Sequence, residues 1–178
     1  MTLLQRARRI RLVLMDVDGV LTDGRLYHFA GKDGELVESK GFDSQDGIAL
    51  IWLAEHGIKT GLISGRRSKG VEGRAKMLRM EHVVLGTFEK LPAFEEILKK
   101  TGLRAEQAAY IGDDLPDVPV LRKAGLSVAV ANARPEVLKR AHWVTRRRGG
   151  EGAVREVAEF LLRSQDLWKS VLDRFDAL

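Results

Sequence analysis

The sequence predicts an α/β fold: one doubly wound domain over residues 1–178, with a central parallel sheet, a projecting hairpin and a C-terminal helical tail. Three observations carry this. Short apolar runs alternate with helical segments along the chain. The first run, Leu12–Met15, is apolar throughout, as a strand buried on both faces requires, and Asp16 ends it. A later run, Ala108–Ile111, ends in Gly112-Asp113-Asp114. Both acidic groups therefore fall at carboxyl ends of strands, where open α/β sheets hold ligands.

Met1–Arg11 is basic, lacks an apolar segment behind it, and reads as a short lead-in helix rather than a secretion signal. After the first strand, Gly19 and Gly24 allow tight turns. Leu26–Ala30 and Glu35–Ser39 flank the turn Gly31–Gly34 and form a hairpin over about residues 25–40. Its apolar residues Leu26, Tyr27, Phe29, Leu36 and Val37 lack cover in a monomer, which predicts an oligomer contact. A polar loop, Gly41–Gly47, leads to a helix over Ile48–His56, closed by Gly57. Lys59–Ile63 is the second sheet strand, with Ser64, Gly65, Arg66 and Arg67 at its end, and the next helix turns Val71, Ala75 and Leu78 inward. Val83–Leu85, Ala108–Ile111, Ser127–Ala131 and Trp143–Val144 supply further strands; the intervening helices run Pro92–Lys100, Val118–Ala124 and onward from Pro135. A basic loop, Arg146–Gly152, precedes a last helix beginning at Ala153. The tail, 165–178, carries Leu167, Trp168, Val171, Leu172 and Phe175 as a helical stripe that packs on the body or on a neighbouring subunit.

Bulk properties narrow the function. No cysteine is present, which removes disulfide and thiol chemistry and suits a reducing cytoplasm. No apolar run reaches the length of a membrane span, so no membrane partner is expected. The net charge of +5 invites nucleic acid, but the basic residues are dispersed and only two Tyr are available for stacking, so none is expected. A small anionic substrate accounts for the charge equally well.

The candidate site residues follow from chemistry. Asp16 and Asp18, two apart in an extended chain, would share a side, and two close carboxylates need a cation or a proton between them. Asp113, Asp114 and Asp117 form a second cluster, too dense for an ordinary solvated face. Ser64 and Gly65 at a strand-to-helix turn, with Arg66 and Arg67, suit an oxyanion, although Ser64 alone reads equally as a helix cap. Lys90 stands near a helix start, against the helix dipole, which slightly favours a functional role, although an exposed surface lysine is the default reading. Asp43 or Ser44 serves as an N-cap, which leaves the rest of the polar group around Gln45, Asp46 and Gly47 unexplained.

Asp16-Val17-Asp18-Gly19-Val20, then Ser64 after an apolar strand, Lys90, and Gly112-Asp113-Asp114 occur in that order. This resembles the four motifs of the haloacid dehalogenase superfamily of phosphotransferases, and the resemblance covers most of the chain. Asp16–Gly24, Asp46-Gly47, Ser64-Gly65-Arg66, Arg74, Gly112–Leu115 and Gly149–Glu156 extend it to the capless phosphatases acting on 3-deoxy-D-manno-octulosonate 8-phosphate.

The resemblance implies roles. Asp16 is the nucleophile that forms an aspartyl-phosphate, and Asp18 the general acid and then base. Mg²⁺ is held by Asp16, the main-chain carbonyl of Asp18, and Asp113, with Asp114 or Asp117 supporting it. Ser64 and Lys90 hold phosphoryl oxygens. Asp43, Ser44, Gln45, Asp46 and Gly47, with Gly65, Arg66 and Arg74, face the sugar acid. It also implies a cytoplasmic homotetramer with its hairpins packed centrally, a small-molecule sugar-acid phosphate as substrate, and a place in lipopolysaccharide core sugar synthesis. Two positions depart from the pattern: Gln45, where Arg is usual, and Ile51, near which a basic residue is usual. Arg66 favours the eight-carbon acid, since relatives acting on nine-carbon keto-sugar acid 9-phosphates carry Glu there. That nine-carbon substrate is the first alternative, and a non-catalytic scaffold of the same fold is a remote one. A phosphoryl-accepting receiver domain fits poorly, because its single acceptor Asp belongs on a later strand than the Asp16–Asp18 pair.

Overall fold

A computed structural model describes residues 1–177; the last residue of the tail, Leu178, lies outside them. α1 (Leu3–Ala7) opens the chain under a capping box from Thr2 and Gln5. β1 (Leu12–Met15) follows and is buried at every position. Its apolar run can be buried on both sides because strands flank it and helices cover both faces.

β2 (Tyr27–Ala30) and β3 (Leu36–Ser39) pair antiparallel as a separate hairpin. The remaining elements in chain order are α2 (Ser44–Glu55), β4 (Lys59–Ser64), α3 (Lys69–Met77), β5 (His82–Leu85), α4 (Lys90–Thr101), β6 (Ala108–Gly112), α5 (Val118–Lys123), β7 (Leu126–Ala129), α6 (Pro135–Leu138), β8 (Trp143–Val144), α7 (Ala153–Ser164) and α8 (Trp168–Asp173). The main sheet runs β5-β4-β1-β6-β7-β8, every pair parallel. β1 lies between β4 and β6, so the ends of these three strands meet on one edge.

The helices pack in layers: α2 against α7, and α4 against α5. α7 turns Val154, Val157, Ala158, Leu161 and Leu162 inward, the spacing of one helical face. The tail packs on the body as the stripe foretold. Trp168 and Val171 are buried, and Trp168 meets Trp52 edge-on at 5.8 Å.

Several boundaries differ from the sequence reading, three of them for a clear local reason. α2 starts at Ser44, not Ile48, because Asp43 accepts from the amides of Gln45 and Asp46 and caps the helix there. α4 starts at Lys90, not Pro92; proline tolerates a first helical turn, where its missing amide has no partner anyway. β7 spans Leu126–Ala129 rather than Ser127–Ala131, since its partner β6 ends at Gly112, opposite Ala129.

Among the described residues no helix is long and apolar enough to cross a membrane. On the hairpin, Tyr27, Phe29, Leu36 and Val37 are all exposed.

Candidate active site

Asp16 follows directly on β1. Its Oδ1 accepts from the amide of Val17 at 2.7 Å, and its Oδ2 lies 2.7 Å from Lys90 Nζ. Lys90 is buried at the start of α4 and also donates to Asp117 Oδ1 at 2.7 Å. A buried ammonium needs such pairing. Asp117 is fully buried. Besides Lys90 it accepts from the Tyr110 hydroxyl at 2.7 Å and from the amides of Asp113 and Asp114 at 3.0 and 3.2 Å. It therefore orients the cluster rather than facing a ligand.

Asp113 follows β6. Gly19, with φ +86°, brings the turn after β1 so close that a Cβ there would stand 2.2 Å from Asp113 Oδ2. Only glycine combines that approach with that backbone. Asp16, Asp113 and Asp117 present carboxylate oxygens within 4.8 Å of one another. Burial, then the charges of Asp117, Asp16 and Asp114, push Asp113 up from 3.8 to about 8. Burial and Asp117 push Asp16 up to about 6 against the pull of Lys90. Asp113 Oδ1 is buried with no hydrogen-bond partner. An unpartnered buried carboxylate oxygen is costly, and hard divalent cations take such oxygen ligands. The donor set thus fits a divalent cation held by Asp16 and Asp113.

Asp18 differs from the expectation of an extended pair. The strand ends at Met15 and Asp18 sits in a turn, so alternation along a strand does not place it. It still lines the same pocket as Asp16, but its carboxylate is paired with Lys40. Ser64, buried at the end of β4, lines that pocket with Gly65, Arg66, Phe88, Lys90 and Asp113. Its volume is about 160 Å³, below the roughly 300–1,000 Å³ of common small-molecule sites. It has room for a phosphoryl group and little more. Asp114 also lines it, while its Oδ1 caps the turn at the amide of Leu115.

The expected sugar-facing residues divide. Gly65 and Arg66 are at the pocket. Asp43, Ser44, Gln45, Asp46, Gly47 and Arg74 do not line it. Asp43 and Gln45 line a wider cleft beside Arg146, Arg147, Glu151 and Arg155. Arg74 reaches the carbonyl of Asp43 at 3.5 Å and stacks over Phe42. Asp46 is fully buried and accepts from the amide of Arg155 at 2.7 Å, capping α7 from α2. Burial pushes it up to about 6.

Several contacts escaped the sequence reading. Phe88 forms a pocket wall. Asn132 donates to the carbonyl of Gly19 at 3.0 Å and accepts from the amide of Gly149 at 2.6 Å. Gly149 packs against the turn after β1 so tightly that a Cβ would meet the carbonyl oxygen of Gly19 at 1.8 Å. Lys40 and Glu38, at the hairpin's base, reach Asp18 and Arg66. Their only signal was position, just before the chain re-enters the body.

A carboxylate held by a buried lysine, beside an acidic cluster ready for a cation, is equipment for moving a phosphoryl group. Known proteins agree. Residues 82–157 match the haloacid dehalogenase-like hydrolase family. The 3-deoxy-D-manno-octulosonate 8-phosphate phosphatase of Yersinia pestis is 48% identical over 163 residues, 92% of this chain and 85% of that protein. The phosphatase of the same name from Escherichia coli K12 is 46% identical over 160 residues, 90% and 83% of the two chains. Among solved structures, the Moraxella catarrhalis phosphatase in complex with magnesium ion, phosphate ion and KDO superposes with a TM-score of 0.91 at 39% identity, covering 97% of both chains. The Yersinia pestis structure gives 0.89 at 47% identity, covering 94% of this chain and 88% of that one. The chain belongs to the haloacid dehalogenase-like hydrolases, in the family of 3-deoxy-D-manno-octulosonate 8-phosphate phosphatases.

Proposed function

We propose that this protein hydrolyses 3-deoxy-D-manno-octulosonate 8-phosphate to the free sugar acid and phosphate, in the cytoplasm, as a step of lipopolysaccharide core sugar synthesis. The observation that carries the reading is Asp16 fixed by the Val17 amide and Lys90, with Asp18 and Asp113 in the same pocket.

A carboxylate oxygen of Asp16 attacks phosphorus while the bond from phosphorus to the sugar oxygen breaks. Asp18 gives its proton to that departing oxygen. A water then attacks the aspartyl-phosphate, Asp18 takes the water's proton, the bond to Asp16 breaks, and phosphate leaves. Ser64 and Lys90 bind phosphoryl oxygens, and general acid–base help is worth roughly 100- to 10,000-fold. Asp16, Asp113 and the main-chain carbonyl of Asp18 would hold Mg²⁺, which when bound neutralises charge on the phosphoryl group. Asp117 fixes Lys90 and the turn bearing Asp113. The sugar acid's own carboxylate suits the planar fork of Arg66.

Release of phosphate from this ester, compared with a nine-carbon keto-sugar acid 9-phosphate, tests the proposal. A clear preference for the eight-carbon ester is expected. Preference for the nine-carbon ester would show that Gln45 and Ile51 mark a changed specificity. Arg66→Ala is expected to raise KM for the sugar-acid ester about 10- to 100-fold, the loss of a charge-assisted pair, and to leave a simple aryl phosphate little changed. Equal losses would assign Arg66 to the phosphoryl group instead.

The pocket is too small for the whole substrate, and Asp43, Ser44, Gln45, Asp46, Gly47 and Arg74 stand apart from it within one chain. A homotetramer packed through the exposed hairpins would supply the missing wall. Light scattering at micromolar concentration is expected to give a tetramer, and Phe29→Glu with Leu36→Glu to give smaller species. A wild-type monomer would sink the assembly.

A further inference from the structure

Lys40 is the first residue after β3, where the hairpin rejoins the body. Its side chain is only 3% exposed, and its Nζ donates to Asp18 Oδ1. Glu38 Oε1 lies 3.6 Å from the same nitrogen. Glu38 Oε2 accepts from Arg66 Nη2 at 2.7 Å, and Arg66 Nε lies 3.8 Å from Asp18 Oδ2. Charge alternates around this ring of four residues. Two carboxylates flank the buried ammonium, the condition under which burying it is tolerable.

Asp18 has left the strand and lies in a turn. Among the described residues Lys40 is the one group within hydrogen-bond reach of its carboxylate. Lys40 does not line the pocket, so it acts through Asp18 and not on a substrate. We propose that Lys40 is the positioning residue for the proton-transfer carboxylate. It pins Oδ1 and leaves Oδ2, on the Arg66 side, to exchange the proton with the departing sugar oxygen. Glu38 shares the restraint and ties Arg66 into it, so the hairpin's base governs the aim of Asp18. The inference rests on the roles proposed for Asp16 and Asp18.

The consequence is a dependence on the leaving group. An alkyl phosphate needs a proton on its departing oxygen, whereas p-nitrophenolate leaves without one. The ratio kcat/KM reports only steps up to departure of the leaving group, so hydrolysis of the aspartyl-phosphate does not enter it. Lys40→Met is expected to lower kcat/KM for the sugar-acid phosphate at least about 30-fold, and for p-nitrophenyl phosphate less than about 3-fold. Lys40→Arg, which keeps a cation beside Asp18, is expected to restore much of the sugar-phosphate rate. Thermal unfolding checks the fold; if Lys40→Met does not fold, Lys40→Gln carries the same comparison. Equal losses on both esters in a folded variant would make Lys40 a structural pin and overturn the inference, as would no loss on either. Wild-type protein inactive on both esters would overturn the phosphatase reading and this inference with it.

Discussion

Asp16→Asn is expected to lower turnover at least about 10,000-fold while the protein stays folded. The amide keeps the size of the side chain and can still meet Lys90, but it cannot attack phosphorus to form an acyl phosphate that water then opens. Stability should not suffer in the absence of a cation. Burial and Asp117 already disfavour the charge on Asp16, holding it up at about 6, so a neutral group there removes repulsion at neutral pH. Lys90 keeps Asp117 as its partner. Steady-state phosphate release, trapping of labelled phosphate on the protein by acid quench, and thermal unfolding together read the outcome. A well-folded variant with activity within about tenfold of wild type would remove Asp16 as the nucleophile.

Much of the candidate site was legible because it rests on strand ends. A fully apolar run closed by a carboxylate reads as a central strand reaching a ligand edge, and Asp16 and Asp113 follow this rule, while Ser64 ends the neighbouring strand β4. The hairpin was legible from its glycine turn and β-prone flanks. Residues whose roles depend on distant partners were not. Nothing local in Asp46 announces that it caps α7, which starts more than a hundred residues later. Lys40 reads as an ordinary surface lysine until the hairpin's return directs it onto Asp18. Strand alternation alone would put Asp18 beside Asp16, but the chain has already turned there. The motif was informative there and the periodicity was not.

The hairpin connects these two kinds of residue. Its exposed apolar residues run along both strands, with Tyr27 opposite Ser39 and Phe29 opposite Val37, and Glu38 and Lys40, which reach Arg66 and Asp18, lie directly beside them. A contact made on these apolar residues would therefore act on the element that holds Asp18, the proposed proton-transfer carboxylate. Assembly and catalysis would be linked through about one turn and two short strands.

Without a divalent cation, the protein is expected to lose stability as pH rises from about 5 to 8. Asp113 sits at about 8 in the folded chain against an ordinary 3.8, chiefly through burial and then through Asp117, Asp16 and Asp114. Asp16 shifts the same way, to about 6. Between these limits the folded state holds protons that the unfolded state has released, so stability falls with pH. The contribution is fully present below about pH 4 and lost as pH passes about 8. One unit is worth about 1.4 kcal/mol, so Asp113 alone sets an upper bound of about 6 kcal/mol. Partial contact with water reduces this to on the order of 2–4 kcal/mol, still a large share of a domain's roughly 5–15 kcal/mol. Mg²⁺ binds the ionised carboxylates, so its stabilising effect should grow over the same range, from little at pH 5 to roughly 5–15 °C in Tm at pH 8. Unfolding scans in chelator and in millimolar Mg²⁺, across that range, make the comparison. Asp113→Asn should flatten both the pH dependence and the response to Mg²⁺. An equal Mg²⁺ shift at pH 5.5 and pH 8 would mean that the cation binds elsewhere, since a site built from Asp16 and Asp113 must release protons to be filled.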